Sequence, residues 1–323
     1  MTRHRTPTPS RTHPHPRRHV ARPGARRVVT VGIDGSGASM DAADWAAREA
    51  LRRGVPLRLL HAEVTPVHPG RVRRLTTVAE PQRGVLDRAA IALAYVHPAL
   101  EIHAQQPPGP AVPALLAANA EAESLVLGSR GPAGYGGFLV GSVAAAVTER
   151  AERPVVLVRA GERAEDAHTP DPDGTPSRST PYRPVVLGLD PGRAGDALIE
   201  YAFTAAAVRG APLHVVHAWT VPPLTGRVPR LVAPDDLADV GALETRACLR
   251  LGAVLRPWRA RYPRVEAVER VAFGRPGLHL LQAAFGAALL VVGRRAGHGP
   301  SLGRTVRSVV QHVPCPVAVV PHA

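Results

Sequence analysis

The chain has 323 residues, enough for two domains of ordinary size, and its 45% hydrophobic and 20% charged residues exclude a wholly disordered polymer. No apolar run approaches the roughly 18 residues of a membrane helix, so the chain reads as soluble, without a membrane partner. The net charge of +14 comes entirely from arginine; with no lysine in the sequence, a Walker A phosphate loop and Schiff-base chemistry are both excluded.

The first 26 residues are Arg, Pro, His and Thr with almost no apolar residue, and are expected to be disordered. With Arg27 they hold eight arginines and no acid, more than half of the excess charge. Two readings stay open: a basic arm for nucleic acid, or a solvated extension.

The first copy of an internal repeat follows, over residues 27–160. The sequence predicts a strand over 28–33, a helix over 40–53, a strand over 57–62, a helix over about 81–95 and a strand over 100–104. A helix over 113–120, a strand over 124–127, a Gly-rich loop, a helix over 142–151 and a strand over 155–158 complete it. Residues 161–182 (GERAEDAHTPDPDGTPSRSTPY) are rich in breakers and read as a linker. The second copy, 183–323, repeats the landmarks at two offsets: Asp34, Pro56 and His61 recur as Asp190, Pro212 and His217, 156 residues on, and Gly141 and Pro154 as Gly303 and Pro316, 162 residues on. The fold class expected is α/β, two tandem doubly wound, mostly parallel five-stranded sheets with helices on both faces. The apolar closing strands, 155–158 and 317–320, are expected to pair the copies, or two chains.

In such sheets ligands bind beyond the carboxyl ends of the strands, where strand order reverses. There the first copy carries Asp34 and the pattern Gly128-Ser129-Arg130-Gly131, then Gly141-Ser142 opening a helix. Glycines allow close backbone approach, and a helix N-terminus offers free amides to phosphate. Ser142 equally fits a plain helix cap, and Asp34 a turn former.

Asp34, the G-x2-G-x9-G-S spacing over 128–142 and the closing apolar strand together resemble the universal stress protein family over 27–160 and 183–321. The resemblance implies ATP, with Mg²⁺ carried by the nucleotide. Asp34 would contact the adenine part and Ala62 line the base pocket, beside the strand-end residues Gly32, Ile33 and Leu127. Gly128, Arg130 and Gly131 would meet ribose and phosphates, and Gly141, Ser142 and Val143 hold the phosphates. The second copy departs from the pattern: it reads Gly293-Arg294-Arg295-Ala296 over a shorter spacing, with Arg304 in place of Ser142. Those arginines read as a solvated basic loop or as an anion lure. His61 and His217 read as pocket residues or as side chains satisfied by nearby backbone, and the tryptophans as core or interface.

No nucleophile or general base accompanies the phosphate loop, so the expectation is a cytoplasmic ATP-binding stress or regulatory protein, not a fast enzyme. Two cysteines, far apart and without metal-ligand spacing, fit a reducing compartment. A nucleotide-free scaffold and a nucleic-acid binder led by the tail are the competing classes; the protein partner is not readable.

Overall fold

The computed structural model describes residues 27–62, 80–129, 132–133, 137–138, 140–220, 234–295 and 302–322. The basic tail 1–26, Arg130 and Gly131 of the glycine pattern, and Ala296 of the second loop lie outside them.

The first copy runs β1 (Val29–Gly32), α1 (Gly37–Arg53), β2 (Leu57–Leu60), α2 (Glu80–Val96), β3 (Ile102–Gln105), α3 (Ala111–Glu121) and β4 (Ser124–Ser129). The two-residue strands β5 (Pro132–Ala133) and β6 (Gly137–Phe138) follow, then α4 (Ser142–Arg150) and β7 (Val155–Arg159). The second runs β8 (Val185–Gly188), α5 (Asp196–Ala207), β9 (Leu213–Trp219), α6 (Pro234–Arg261), β10 (Ala267–Phe273), α7 (Pro276–Ala284), β11 (Leu289–Arg295), α8 (Arg304–His312) and β12 (Val317–His322).

Each copy is a five-stranded parallel sheet of order 3-2-1-4-5, and the two join into one ten-stranded sheet, β10-β9-β8-β11-β12-β7-β4-β1-β2-β3. Register repeats with the sequence: Val29 lies opposite Leu57, and Val185 opposite Leu213. The β7–β12 junction is the sheet's one antiparallel ladder, with Val156 opposite its repeat partner Ala318, so a local two-fold axis passes between them. Because the halves run in opposite directions there, their carboxyl edges face opposite ways.

Strands buried on both faces carry near-continuous aliphatic runs, as in β4, β7 and β11. One core layer joins α1 and α2 with α5 and α6 across the whole sheet; the other joins α3 and α4 with α7 and α8. The core therefore belongs to both copies at once.

At the axis, Glu49 of α1 is fully buried and ion-pairs with Arg53 (2.6 Å), Arg52 (3.1 Å) and Arg209 of the second copy (2.5 Å). Burial would raise its pKa, but the three guanidinium groups outweigh burial and hold the carboxyl far below the usual range.

The connector 161–182 is folded against this frame. It forms a 3-10 turn at Ala164–Ala167, its Glu162 ion-pairs with Arg48 of α1 (2.5 Å), and its Gly161 amide donates to Asp41 (2.7 Å). Breaker-rich composition marked the change of domain; it did not exclude a packed path.

Candidate functional site

The first copy's site residues come from four strand and helix ends that the topology gathers at one edge. Gly32, Ile33 and Asp34 close β1; Ala62 lies just past β2 and Leu127 and Gly128 lie in β4, the two strands flanking β1. A helix that returns between parallel strands runs against them, which sets the N-terminus of α4 at the same edge.

Asp34 begins a turn that launches α1. Its Oδ1 accepts from the Ser36 amide (2.9 Å) and hydroxyl (2.6 Å), Gly35 takes φ +85°, and Ser36 Oγ caps the helix by accepting from Ser39 N (3.2 Å). Burial raises the Asp34 pKa, but the Ser36 and Ser39 hydrogen bonds outweigh it and hold the carboxyl below its ordinary value. The turn-forming role is thus real, and it leaves an ionised carboxylate at the edge.

The glycine pattern splits into two kinds of position. A Cβ on Gly128 would meet the Ala38 carbonyl oxygen at 2.5 Å, so this glycine is required by the approach of α1 to β4. Packing alone therefore accounts for this glycine, whether or not a ligand also approaches its backbone. A Cβ on Gly141 would meet nothing within 4 Å, and no described residue demands glycine there.

Gly141, not Ser142, is the N-cap of α4, and no side chain caps the helix. The first helical backbone bond is Ala145 N to Gly141 O, at 2.9 Å. The amides of Ser142, Val143 and Ala144 are consequently without a helical acceptor, and Val143 is 38% exposed. The capping role considered for Ser142 is not taken. Ile33 and Leu127 are core residues, 4% and 5% exposed, and offer the edge only their backbone.

His61 is satisfied by nearby backbone at one ring nitrogen. Its Nδ1 donates to the Ile33 carbonyl (2.7 Å), as His217 Nδ1 does to Leu189 (3.1 Å), which leaves Nε2 of the neutral ring as an acceptor. His61 Nε2 is buried with no partner among the described residues. The recurrence of His61 as His217 was the readable signal.

The second copy's corresponding edge holds a cavity of about 660 Å³ between β8, β9, β11 and the start of α8. Its wall includes Arg193, Arg294, Arg295 and Arg304; Arg295 and Arg304 are exposed, whereas Arg294 is buried and donates to the Ala151 carbonyl of the first copy. Trp219 also lines it, whereas Trp45 is fully buried and Trp258 stacks on Phe203.

The sequence profile of the universal stress protein family matches residues 25–159 and again 181–321. The chain belongs to the universal stress protein family. Among curated universal stress proteins it is 30% identical to Rv2005c of Mycobacterium tuberculosis over 298 residues. It is 32% identical to Rv1996 of the same organism over 316 residues. Each alignment covers 90% of this chain and 94% of the relative, so both repeats are shared. The crystal structure of a universal stress protein from Archaeoglobus fulgidus superposes with a TM-score of 0.62 at 18% identity. It covers 92% of this chain and 98% of the other, a likeness of fold. Among the described residues no helix is long and apolar enough to cross a membrane.

Proposed function

We propose that this universal stress protein is an ATP-binding regulatory protein of the cytoplasm, with one nucleotide per chain held by the first copy. The observation that supports an anion in the first copy is the uncapped start of α4, three amides without helical or side-chain acceptors among the described residues behind Gly141; α8 starts in the same way at Gly303, so the choice of the first copy rests on Ser142 standing where the second copy has Arg304. Such a helix end favours an anion through both its donors and its dipole. Asp34 and Ala62 would contact the adenine part, and Gly141, Ser142 and Val143 would hold the phosphates, with Arg130 and Gly131 completing the cradle. Mg²⁺ would arrive with the nucleotide; among the described residues no cluster of His, Cys, Asp or Glu suits a metal ion. Binding without fast turnover suits a set of donors that includes no nucleophile.

A second reading, a nucleotide-free scaffold, draws on Gly128, whose lack of a side chain is explained by the Ala38 and Ser39 backbone without any ligand. Calorimetric titration of ATP separates the two. The intact chain should bind one ATP; Gly141→Val and Gly131→Val should each weaken it at least tenfold, about 1.4 kcal/mol, while Gly303→Val should not. Two equivalent sites, or a Gly141 variant that binds normally, would refute the assignment.

A further inference from the structure

We propose that the junction between the copies holds a buried binding site for a small monovalent anion of halide size, bounded by Arg53 of α1 and Tyr201 of α5. It lies at the amino edge of the first sheet, where α1 ends and β4 begins, at the far end of that sheet from Gly141 and Ser142. Its ion needs no nucleotide in the chain.

Charge balance is the first ground. Among the described residues, Arg52, Arg53 and Arg209 ion-pair with only two carboxylates, those of Glu49 and Glu123. The Arg53, Arg209 and Glu49 side chains are 4%, 1% and 0% exposed, so water does little to screen the excess of one positive charge. Burial, with Arg52 and Arg53 beside it, holds the Arg209 pKa below its ordinary value although Glu49 opposes them. The network is short of one negative charge.

Unpaired donors are the second ground, and they do not depend on the charge count. Arg53 Nε donates to Glu49 Oε1 (2.6 Å) and Nη1 to Glu123 Oε1 (2.6 Å), which leaves Nη2 buried without a partner among the described residues. The Tyr201 hydroxyl is buried without one too, and its ring lies 5.3 Å from the same guanidinium. Burial pushes the phenol pKa up to about 12, so the hydroxyl keeps its proton and can donate. Ser124, beside Glu123, adds a third buried hydroxyl without a described partner. It alternates with Leu125 and so faces the same layer as Val126, the layer of α1 and α5. Buried donors left unpaired are costly and call for an acceptor. A water molecule could accept from them but would bring no charge.

The same groups limit which anion fits. One elementary charge is missing, and the carboxylates on two sides of Arg53 would repel a multivalent oxyanion. Glu123 and Arg52, 18% and 14% exposed, bring the cluster within reach of solvent. The local two-fold axis does not repeat the site: Arg209 lies over Trp45, an indole in place of the phenol. Arg209 Nη1 and Nη2 are both engaged, by the Ala205 carbonyl (3.0 Å) and by Glu49 (2.5 Å). One ion per chain is therefore expected.

The test melts the full chain in sodium chloride and in sodium gluconate at constant ionic strength, and records anomalous diffraction from crystals grown in sodium bromide. The melting temperature should rise saturably with chloride, as for a ligand bound by the folded state alone. One bromide per chain should lie within hydrogen-bond reach of Arg53 Nη2 and the Tyr201 hydroxyl. Tyr201→Phe keeps the ring and removes one donor. It should raise the half-saturating chloride concentration about tenfold, the scale of one hydrogen bond to a charged group, while melting like the wild type in gluconate. Wild-type melting curves that superimpose in the two salts, or a rise with chloride that never saturates, would overturn the proposal. So would a water in place of the bromide, or an unchanged chloride response in Tyr201→Phe.

Discussion

Arg53 in the first copy and Arg209 in the second are repeat partners, and each lies over an aromatic ring of the opposite copy: Arg53 over Tyr201 at 5.3 Å, Arg209 over Trp45 at 6.0 Å. The rings are repeat partners too. A second reciprocal pair closes the other side of the junction. Arg159 at the end of β7 donates to the carbonyls of Val310 and Val313 that end α8, and Arg294 of β11 donates to the Ala151 carbonyl that ends α4. Helix carboxyl ends favour cations, so each copy caps a helix of the other. Yet these two arginines are not repeat partners: Arg159 pairs with Ser129 in its ladder, and Arg294 pairs with Pro321. The same contact has been kept while the residue that makes it has moved to the neighbouring strand. The carboxyl edges show the opposite pattern, where the strand ends align and the chemistry does not. A duplicated sheet is constrained where the copies touch and freer at its open carboxyl edges.

The sharpest asymmetry at the junction is Glu49, whose repeat partner is Ala205, so one carboxylate serves both Arg53 and Arg209. Replacing it leaves the buried Arg209 guanidinium without a carboxylate and Arg53 with Glu123 alone (2.6 Å), the expensive way to break an ion pair. Glu49→Gln should lower the unfolding free energy by about 3–5 kcal/mol in urea titrations. A loss below about 1 kcal/mol would mean that the arginines find water or other acceptors, and that the junction does not rest on this group.

Much of this frame was legible in the sequence because it depends on spacing. The shared offset of Asp34, Pro56 and His61 to Asp190, Pro212 and His217, and that of Gly141 and Pro154 to Gly303 and Pro316, revealed two copies, and β-branched runs ending in turn residues located their strands. The edge-to-edge sheet depended on the closing strands being too apolar to leave open, a cue that did not choose between a partner copy and a partner chain. Glu49 was not readable, since a lone Glu in an Ala-rich helix looks solvated until the second copy is set against it. Nor was the difference between Gly128 and Gly141: both fit one motif, and only the path of α1 past Ala38 separates a packing glycine from a free one.

That difference predicts the next effect between the copies. Gly128→Ala would drive a methyl onto a backbone carbonyl that cannot move without shifting α1, and should cost about 1–3 kcal/mol. At the repeat position, Gly293→Ala meets side chains instead, the His322 ring and Leu198 Cδ2 at 2.9 Å, which can shift more readily than a helix backbone, so it should cost less than Gly128→Ala. Equal losses in parallel urea titrations would mean that His322 is held as rigidly as the helix, and that the two strand ends are built alike after all.

The last effect expected is a pH dependence in the connector, opposite in sign to that of Glu49. Burial pushes the Glu162 carboxyl up to about 7; the 2.5 Å contact with Arg48 opposes this, and Asp166 and Asp44 add to it. In the unfolded chain a glutamate titrates near 4.3, so between about pH 4.3 and 7 the folded state binds more protons. Its contribution is present at the acid end of that window and is lost as pH rises through about 7. Glu49 behaves in the reverse way: its depressed pKa supplies stability above the unfolded value, and that stability falls away under acid. Glu162→Gln should therefore flatten the decline of stability from pH 5 to pH 8 and leave the acid loss intact, in urea midpoints measured across that range. Profiles that superimpose would show that Arg48 keeps Glu162 charged throughout, making the connector contact an ordinary ion pair instead of a protonated carboxyl packed against α1.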